Sequence, residues 1–140
     1  MNYLIDTCCI SELIKPAPDE KVINWFNAQN ENSLFLSVIT FGELNKGIEK
    51  LPDSKRKSQL IKWIQFDLLL RFRNRIIGIN LEVANEWGKV LASSEKVGRP
   101  LPAIDTLIAV SAIINGMTVV TRNIKDIEGT GAALINPWST

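Results

Sequence analysis

Asp6, Glu43, Asp105 and Asp126 each end or interrupt an apolar run: Tyr3-Leu4-Ile5-Asp6, Val38-Ile39-Thr40-Phe41-Gly42-Glu43-Leu44, Ile104-Asp105-Thr106-Leu107-Ile108 and Thr121-Arg122-Asn123-Ile124-Lys125-Asp126. Carboxylates are rarely buried unless they are paired or bound to a metal. Four of them at the edges of core segments fit one shared divalent cation. Magnesium (Mg2+) takes oxygen ligands in near-octahedral geometry and keeps several waters, so an open carboxylate cluster recruits it, and manganese (Mn2+) serves similarly. Such an ion lowers the pKa of a coordinated water, orients a phosphodiester and offsets charge on the leaving oxygen. The chemistry implied is hydrolysis without a protein nucleophile.

Each acid also has a plainer use. Asp6 suits a helix cap, and Glu43 suits a solvent-facing helix residue paired with Lys46 or Lys50 at helical spacing. Asp105, in a first turn, complements the helix macrodipole, and Asp126 fits a surface loop. None of these uses requires the four to gather, whereas the metal reading does. The chain has no histidine, which removes serine-histidine triads, cysteine-histidine dyads, histidine acid-base chemistry and the usual zinc sites. Cys8 and Cys9 are adjacent, where a disulfide between them would be strained, and both read as small buried residues.

A length of 140 residues fits one domain, 1–140, with 46% apolar and 22% charged residues. No apolar stretch approaches a membrane span, and Asp6 and Glu12 interrupt what would be a signal sequence, so a cytoplasmic protein is expected. The net charge is +1, yet nine basic residues face three acidic ones between Lys46 and Arg75. That local excess suits a phosphate backbone on one face, or else a solvated pair of helices.

The elements that must position the acids follow from apolar spacing. Strands are expected at Tyr3 to Ile5, Leu34 to Leu36, Ile76 to Ile79, Thr118 to Val120 and Leu134 to Ile135. Between them lie a helix starting at Thr7 or Ser11, one capped near Asp19 and one capped by Ser37. An amphipathic helix through Leu60, Ile61, Ile64 and Leu68 follows, then one from Leu81 to Val97 stopped by Gly98. The nearly wholly apolar segment from Ala103 to Asn115 must be central, and Gly116 ends it. Strands apolar on both faces, alternating with helices, indicate a parallel sheet covered on both sides. Ligands bind beyond the carboxyl ends of such strands, where all four acids can converge.

The order and spacing of five motifs then carry a family resemblance: Leu4-Ile5-Asp6-Thr7 with Ile10-Ser11-Glu12, Leu36-Ser37-Val38-Ile39-Thr40 leading to Gly42-Glu43-Leu44, Gly98-Arg99-Pro100-Leu101-Pro102 before Asp105, Val119-Val120-Thr121-Arg122-Asn123, and Asn136-Pro137-Trp138. Across nearly its whole length the chain resembles a PIN-domain ribonuclease of the VapC type, the toxin of a toxin-antitoxin pair, and within that group the FitB-like branch. The resemblance implies a three-layer α/β/α sandwich on a central sheet of five parallel strands. It implies Asp6, Glu43, Asp105 and Asp126 as ligands of Mg2+ or Mn2+, RNA as substrate, a homodimer, and inhibition by a cognate antitoxin. Two positions depart from the family: Cys8 where asparagine is usual, and Asn80 where an acid is common. Some relatives carry the fourth carboxylate at the position of Asn123 and not at that of Asp126. Thr7, Glu12, Thr121 and Asn123 are candidates for orienting the ligands through hydrogen bonds.

Other readings stay open. An aspartyl-phosphate mechanism at Asp6 expects a second aspartate at the position Cys8 occupies. A catalytically inactive PIN-like module would bind antitoxin or RNA without cleavage. Trp25, Trp63, Trp87 and Trp138 can stack bases, but three of them fall within helical apolar patterns and read as core or interface anchors. Gly129-Thr130-Gly131 lacks the third glycine and the strand-to-helix context of a dinucleotide loop.

Overall fold

The computed structural model describes residues 1–139. Its centre is a sheet of β1 (Tyr3–Ile5), β2 (Leu34–Ser37), β3 (Ile76–Ile77), β4 (Thr118–Val120) and β5 (Leu134–Ile135), all parallel, in the order β3-β2-β1-β4-β5. Alternate side chains on each strand serve opposite layers. Tyr3, Ile5, Leu34, Leu36 and Val120 pack on one face, and Leu4, Phe35 and Val119 on the other. Because both faces are covered, the short strands are apolar almost throughout, which is how they could be located in the sequence.

One layer comprises α1 (Thr7–Leu13), α2 (Glu20–Asn27), α3 (Val38–Glu49) and α4 (Lys55–Lys62), the last continuing through a π-helical stretch (Trp63–Leu68) into α5 (Leu69–Arg71). The opposite layer is α7 (Ala103–Ile114), covered in turn by α6 (Leu81–Lys96). Residues Thr106 to Ala112 of α7 are all buried. Ser37 Oγ accepts from the Ile39 amide to start α3, and Asn80 Oδ1 accepts from the Val83 amide to start α6. Asn80 is thereby committed to a helix cap. Gly98 (φ 73°) ends α6 and Gly116 (φ 67°) ends α7 in the left-handed conformation. In both, the next amide reaches back to the last turn, Arg99 to Ser94 and Met117 to Ala112.

The structure departs from expectation in several places. The third strand is two residues long and stops before Gly78, because only Ile76 and Ile77 pair with β2. Asp126 lies in a short helix, α8 (Ile124–Ile127), and not in an open loop. Cys9 is buried, donating its thiol to the Val120 carbonyl, but Cys8 is only half-buried. Much of the basic segment is tied into the fold. Lys57 pairs with Glu49 and Asp53, Arg71 with Glu31, and Arg75 reaches the Glu31 and Leu34 carbonyls while lying over the Phe72 ring with Arg71. The tryptophans act as anchors: Trp25 meets Tyr3 and Phe26 edge-on, and the Trp87 indole donates to the Ala103 carbonyl. Trp138 packs on the core and carries Arg122 over its ring.

Phe72 is the largest fully buried side chain and joins α5 to the core beneath β2 and β3. Phe72→Ala should cost about 3–5 kcal/mol of unfolding free energy, read as a lowered urea midpoint at unchanged slope. A loss below about 1 kcal/mol would show that this end of the core is not close-packed.

Candidate active site

The chain runs from β1 to β2 and β3 on one side, then crosses to β4 and β5 on the other, so the strand order reverses between β1 and β4. A crevice opens beyond the carboxyl ends of strands at such a point. Asp6 is the first residue after β1, and Thr121 the first after β4. Their side chains meet there: Thr121 Oγ1 donates to Asp6 Oδ2 at 2.7 Å. Asp6 Oδ1 accepts from the Thr7 amide at 2.8 Å, so Asp6 does cap α1, but with one oxygen only. At 3% exposure it is a buried carboxylate whose hydrogen bonds come from the Thr121 hydroxyl, the Thr7 amide and the Cys8 thiol and not from a cation.

Thr7 links this acid to the next. Its Oγ1 lies 2.7 Å from Glu43 Oε1 and 3.1 Å from Thr40 Oγ1. A hydroxyl has one proton, which the carboxylate takes as the stronger acceptor, leaving Thr40 to donate to Thr7. Glu43 therefore turns inward to α1, and no ion pair joins it to Lys46 or Lys50 among the described residues. The surface-pair reading of Glu43 is overturned by that contact.

Asp105 sits in the first turn of α7 and is half-buried. Its carboxyl is pushed up to about 6, first by burial and then by the charges of Asp6, Glu43 and Asp126. Four acids separated by up to 120 residues in sequence are thus electrostatic neighbours. They do not form a closed cage: among the described residues no three Asp, Glu, Cys or His side chains stand gathered for one ion. Asp126 is exposed on α8 and Asn123 precedes that helix, its amide donating to Thr121 Oγ1. Cys8 Sγ lies 3.7 Å from Asp6 Oδ2 and 3.9 Å from Thr121 Oγ1.

Of the residues considered for orienting roles, Thr7 and Thr121 touch the acids directly and Asn123 acts one step removed. Glu12 serves the scaffold: it accepts from Lys15 Nζ and the Asp19 amide, which hold its carboxyl below the usual range and tie α1 to the start of α2. Thr40, at the base of the Thr7–Glu43 contact, was not singled out in the sequence. Its only signal was a polar residue on the inward side of an apolar helix.

The PIN domain family model matches residues 3–128. The chain belongs to the PIN domain family. Relatives of this PIN-domain chain include a plasmid stability protein, StbB, of Pseudomonas syringae pv. tomato, 36% identical over 96% of this chain and 97% of the relative. A VapC ribonuclease of Sinorhizobium fredii is 32% identical over 96% of each chain. The toxin FitB of Neisseria gonorrhoeae is 31% identical over 96% of this chain and 97% of FitB. A crystal structure of FitAcB from Neisseria gonorrhoeae superposes with a TM-score of 0.92 at 30% identity, covering 99% of both chains. The five-stranded parallel sheet and its helical layers are therefore the PIN fold.

The raised carboxyl of Asp105 has a measurable consequence. The folded-state pKa of about 6 stands above the ordinary 3.8, so stability falls as pH rises between those values and the full penalty persists above them. After discounting for partial exposure, the penalty is about 1 kcal/mol. In EDTA, Asp105→Asn should raise unfolding free energy by about that amount near pH 7.5 and leave it almost unchanged near pH 3.5. An equal gain at both pH values would mean that charge is not the cause.

Proposed function

We propose that this PIN-domain chain is a divalent-metal-dependent endoribonuclease that hydrolyses RNA phosphodiester bonds as the toxin of a toxin-antitoxin pair. The reading rests above all on the convergence of Asp6, Glu43 and Asp105, with Asp126 beside them, where the strand order reverses. Kinship with a VapC ribonuclease and the toxin FitB supports the substrate class, and the FitAcB complex supports a partner protein. The donor set is oxygen throughout and supported by hydroxyls, which suits hard Mg2+ or Mn2+ better than zinc. Asp6, Glu43 and Asp105 would hold the ion, with Asp126 as the fourth carboxylate. When bound, the ion would supply an activated water and offset charge on the phosphodiester.

The remaining work belongs to the chain itself. Thr7 and Thr121 hold Glu43 and Asp6 by one oxygen each, restricting how those carboxylates rotate. Half-burial of Asp105 lowers solvent screening, so a cation there is attracted more strongly than at the surface. Protonation of Asp105 below about pH 6 removes one negative charge from the cluster and weakens cation binding.

A second reading, an inactive module that binds antitoxin or RNA without cleaving it, draws on the lack, among the described residues, of three side chains gathered for one ion. Calorimetry with Mn2+ separates the two, because only the nuclease requires an ion whose binding is lost in Asp6→Asn.

Incubated with short RNAs in Mg2+ or Mn2+, the protein should cleave, and EDTA should abolish cleavage. Asp6→Asn and Asp105→Asn should each reduce the rate by at least about 100-fold. Asparagine caps a helix as well as aspartate does, so Asp6→Asn removes charge without removing the cap. Cleavage that persists in EDTA or in both variants would overturn the proposal. Thr121→Val, which strips one hydrogen bond from Asp6 and leaves the charge, should lower Mn2+ affinity about 10- to 100-fold. An unchanged affinity would show that Thr121 does not orient the site.

A further inference from the structure

A cavity stands beside Asp126. A cleft of about 1050 Å3 opens between α6, the turn from Gly98 to Pro102, and α8. It adjoins the site through Asp126, which forms part of its wall, and through Pro102, which immediately precedes the helix carrying Asp105. Lys89, Arg99 and Lys125 line it. None of the three makes an ion pair or side-chain hydrogen bond among the described residues, in contrast to Lys57, Arg71 and Arg75 of the basic segment.

The walls are fixed by contacts that position those cations. The Gly98 turn sends the Arg99 amide back to the Ser94 carbonyl, and Ser94 Oγ accepts from the Leu101 amide. The Trp87 indole ties α6 to the first residue of α7. A Cβ on Gly129 would stand 3.2 Å from Leu101 Cδ2, so the 3-10 turn Glu128–Thr130 that follows α8 packs closely against the Gly98 to Pro102 turn. The volume is just above the range for small-molecule sites. Glu86 and Glu128 also line the cleft and, with Asp126, bring its net charge near zero. A bulk field that draws in any polyanion is therefore absent. Free cations interspersed with carboxylates fit a strand whose phosphates meet the lysines and arginine while base amino groups meet the acids.

We infer that this cleft seats the single-stranded RNA on one side of the scissile bond, with Lys89, Arg99 and Lys125 contacting backbone phosphates; the inference rests on the ribonuclease reading of the adjoining acids.

The test uses the whole protein in EDTA, where cleavage cannot occur, and a fluorescein-labelled single-stranded RNA of random sequence and about 12 nucleotides, followed by fluorescence anisotropy. The combined variant Lys89→Ala/Arg99→Ala/Lys125→Ala should bind at least about 10-fold more weakly. Its slope of log affinity against log salt should flatten by about 2, since each phosphate contact on a single strand contributes about 0.7. The control Lys55→Ala/Lys62→Ala/Arg73→Ala, on the basic segment, should change affinity less than twofold. Wild-type affinity in the cleft variant, an equal loss in the control, or no RNA binding by the wild type would overturn the inference. Cleavage in Mn2+ keeps the two claims apart. If the wild type cleaves and the cleft variant keeps its KM, the cleft assignment fails while the ribonuclease reading stands. If cleft-dependent binding occurs without cleavage in any metal, the ribonuclease reading fails while the cleft assignment stands.

Discussion

Like charges held close together in a partly dry crevice repel, and this fold keeps four of them at one end of its sheet. The strain is visible at Asp105, whose carboxyl is pushed up by burial and by Asp6, Glu43 and Asp126. Each acid belongs to a different element: the end of β1, the body of α3, the first turn of α7, and α8. Their approach is therefore a property of how those elements pack. The sheet and the buried helix α7 supply the stability against which that repulsion is set, through apolar burial that is continuous on both faces. A site of this kind is bought with stability from elsewhere in the chain, as expected where function requires a locally unfavourable arrangement.

Threonine is the residue that makes the arrangement tolerable. Thr7 and Thr121 satisfy Glu43 and Asp6 without bringing in a positive charge, and Thr40 backs Thr7. A lysine or arginine in their place would neutralise the acids and occupy the position the proposed ion would take. Hydroxyls donate a hydrogen bond, fix a carboxylate oxygen and leave the charge in place. The same logic explains why Glu12, although buried in the same helix as Cys9, is not part of the cluster: Lys15 and the Asp19 amide have already claimed its oxygens.

The layers of the fold were legible in the sequence because strands buried on both faces and a nearly all-apolar α7 leave little ambiguity of pattern. Helix limits at Ser37, Gly98 and Gly116 could be read from residues whose side chain or backbone freedom does a specific job there. Helix α8 was not legible, since four residues contain too little periodicity to separate a turn of helix from a loop. The candidate acids could be named from their apolar surroundings. Their hydroxyl partners are a different matter, because Thr121 to Asp6 and Thr7 to Glu43 span 115 and 36 residues, and single-sequence patterns hold no information on which distant side chains meet. The five-strand order, with its reversal between β1 and β4, is what places Thr121 beside Asp6.

Charge illustrates the same limit from the other direction. Counting residues put the excess of positive charge between Lys46 and Arg75, and a count treats every cation as available. Once folded, Arg71 and Arg75 are engaged with Glu31 and with backbone carbonyls, and Arg56 donates to the Ile14 carbonyl. A guanidinium that closes a helix end over an aromatic ring contributes packing and hydrogen bonds, but it has little left to offer a phosphate. Lys89, Arg99 and Lys125 are scattered over 37 residues of sequence, and the fold gathers them around one cleft, without ion-pair partners among the described residues. Electrostatic recognition depends on which charges remain uncommitted after folding, and that quantity exists only in three dimensions.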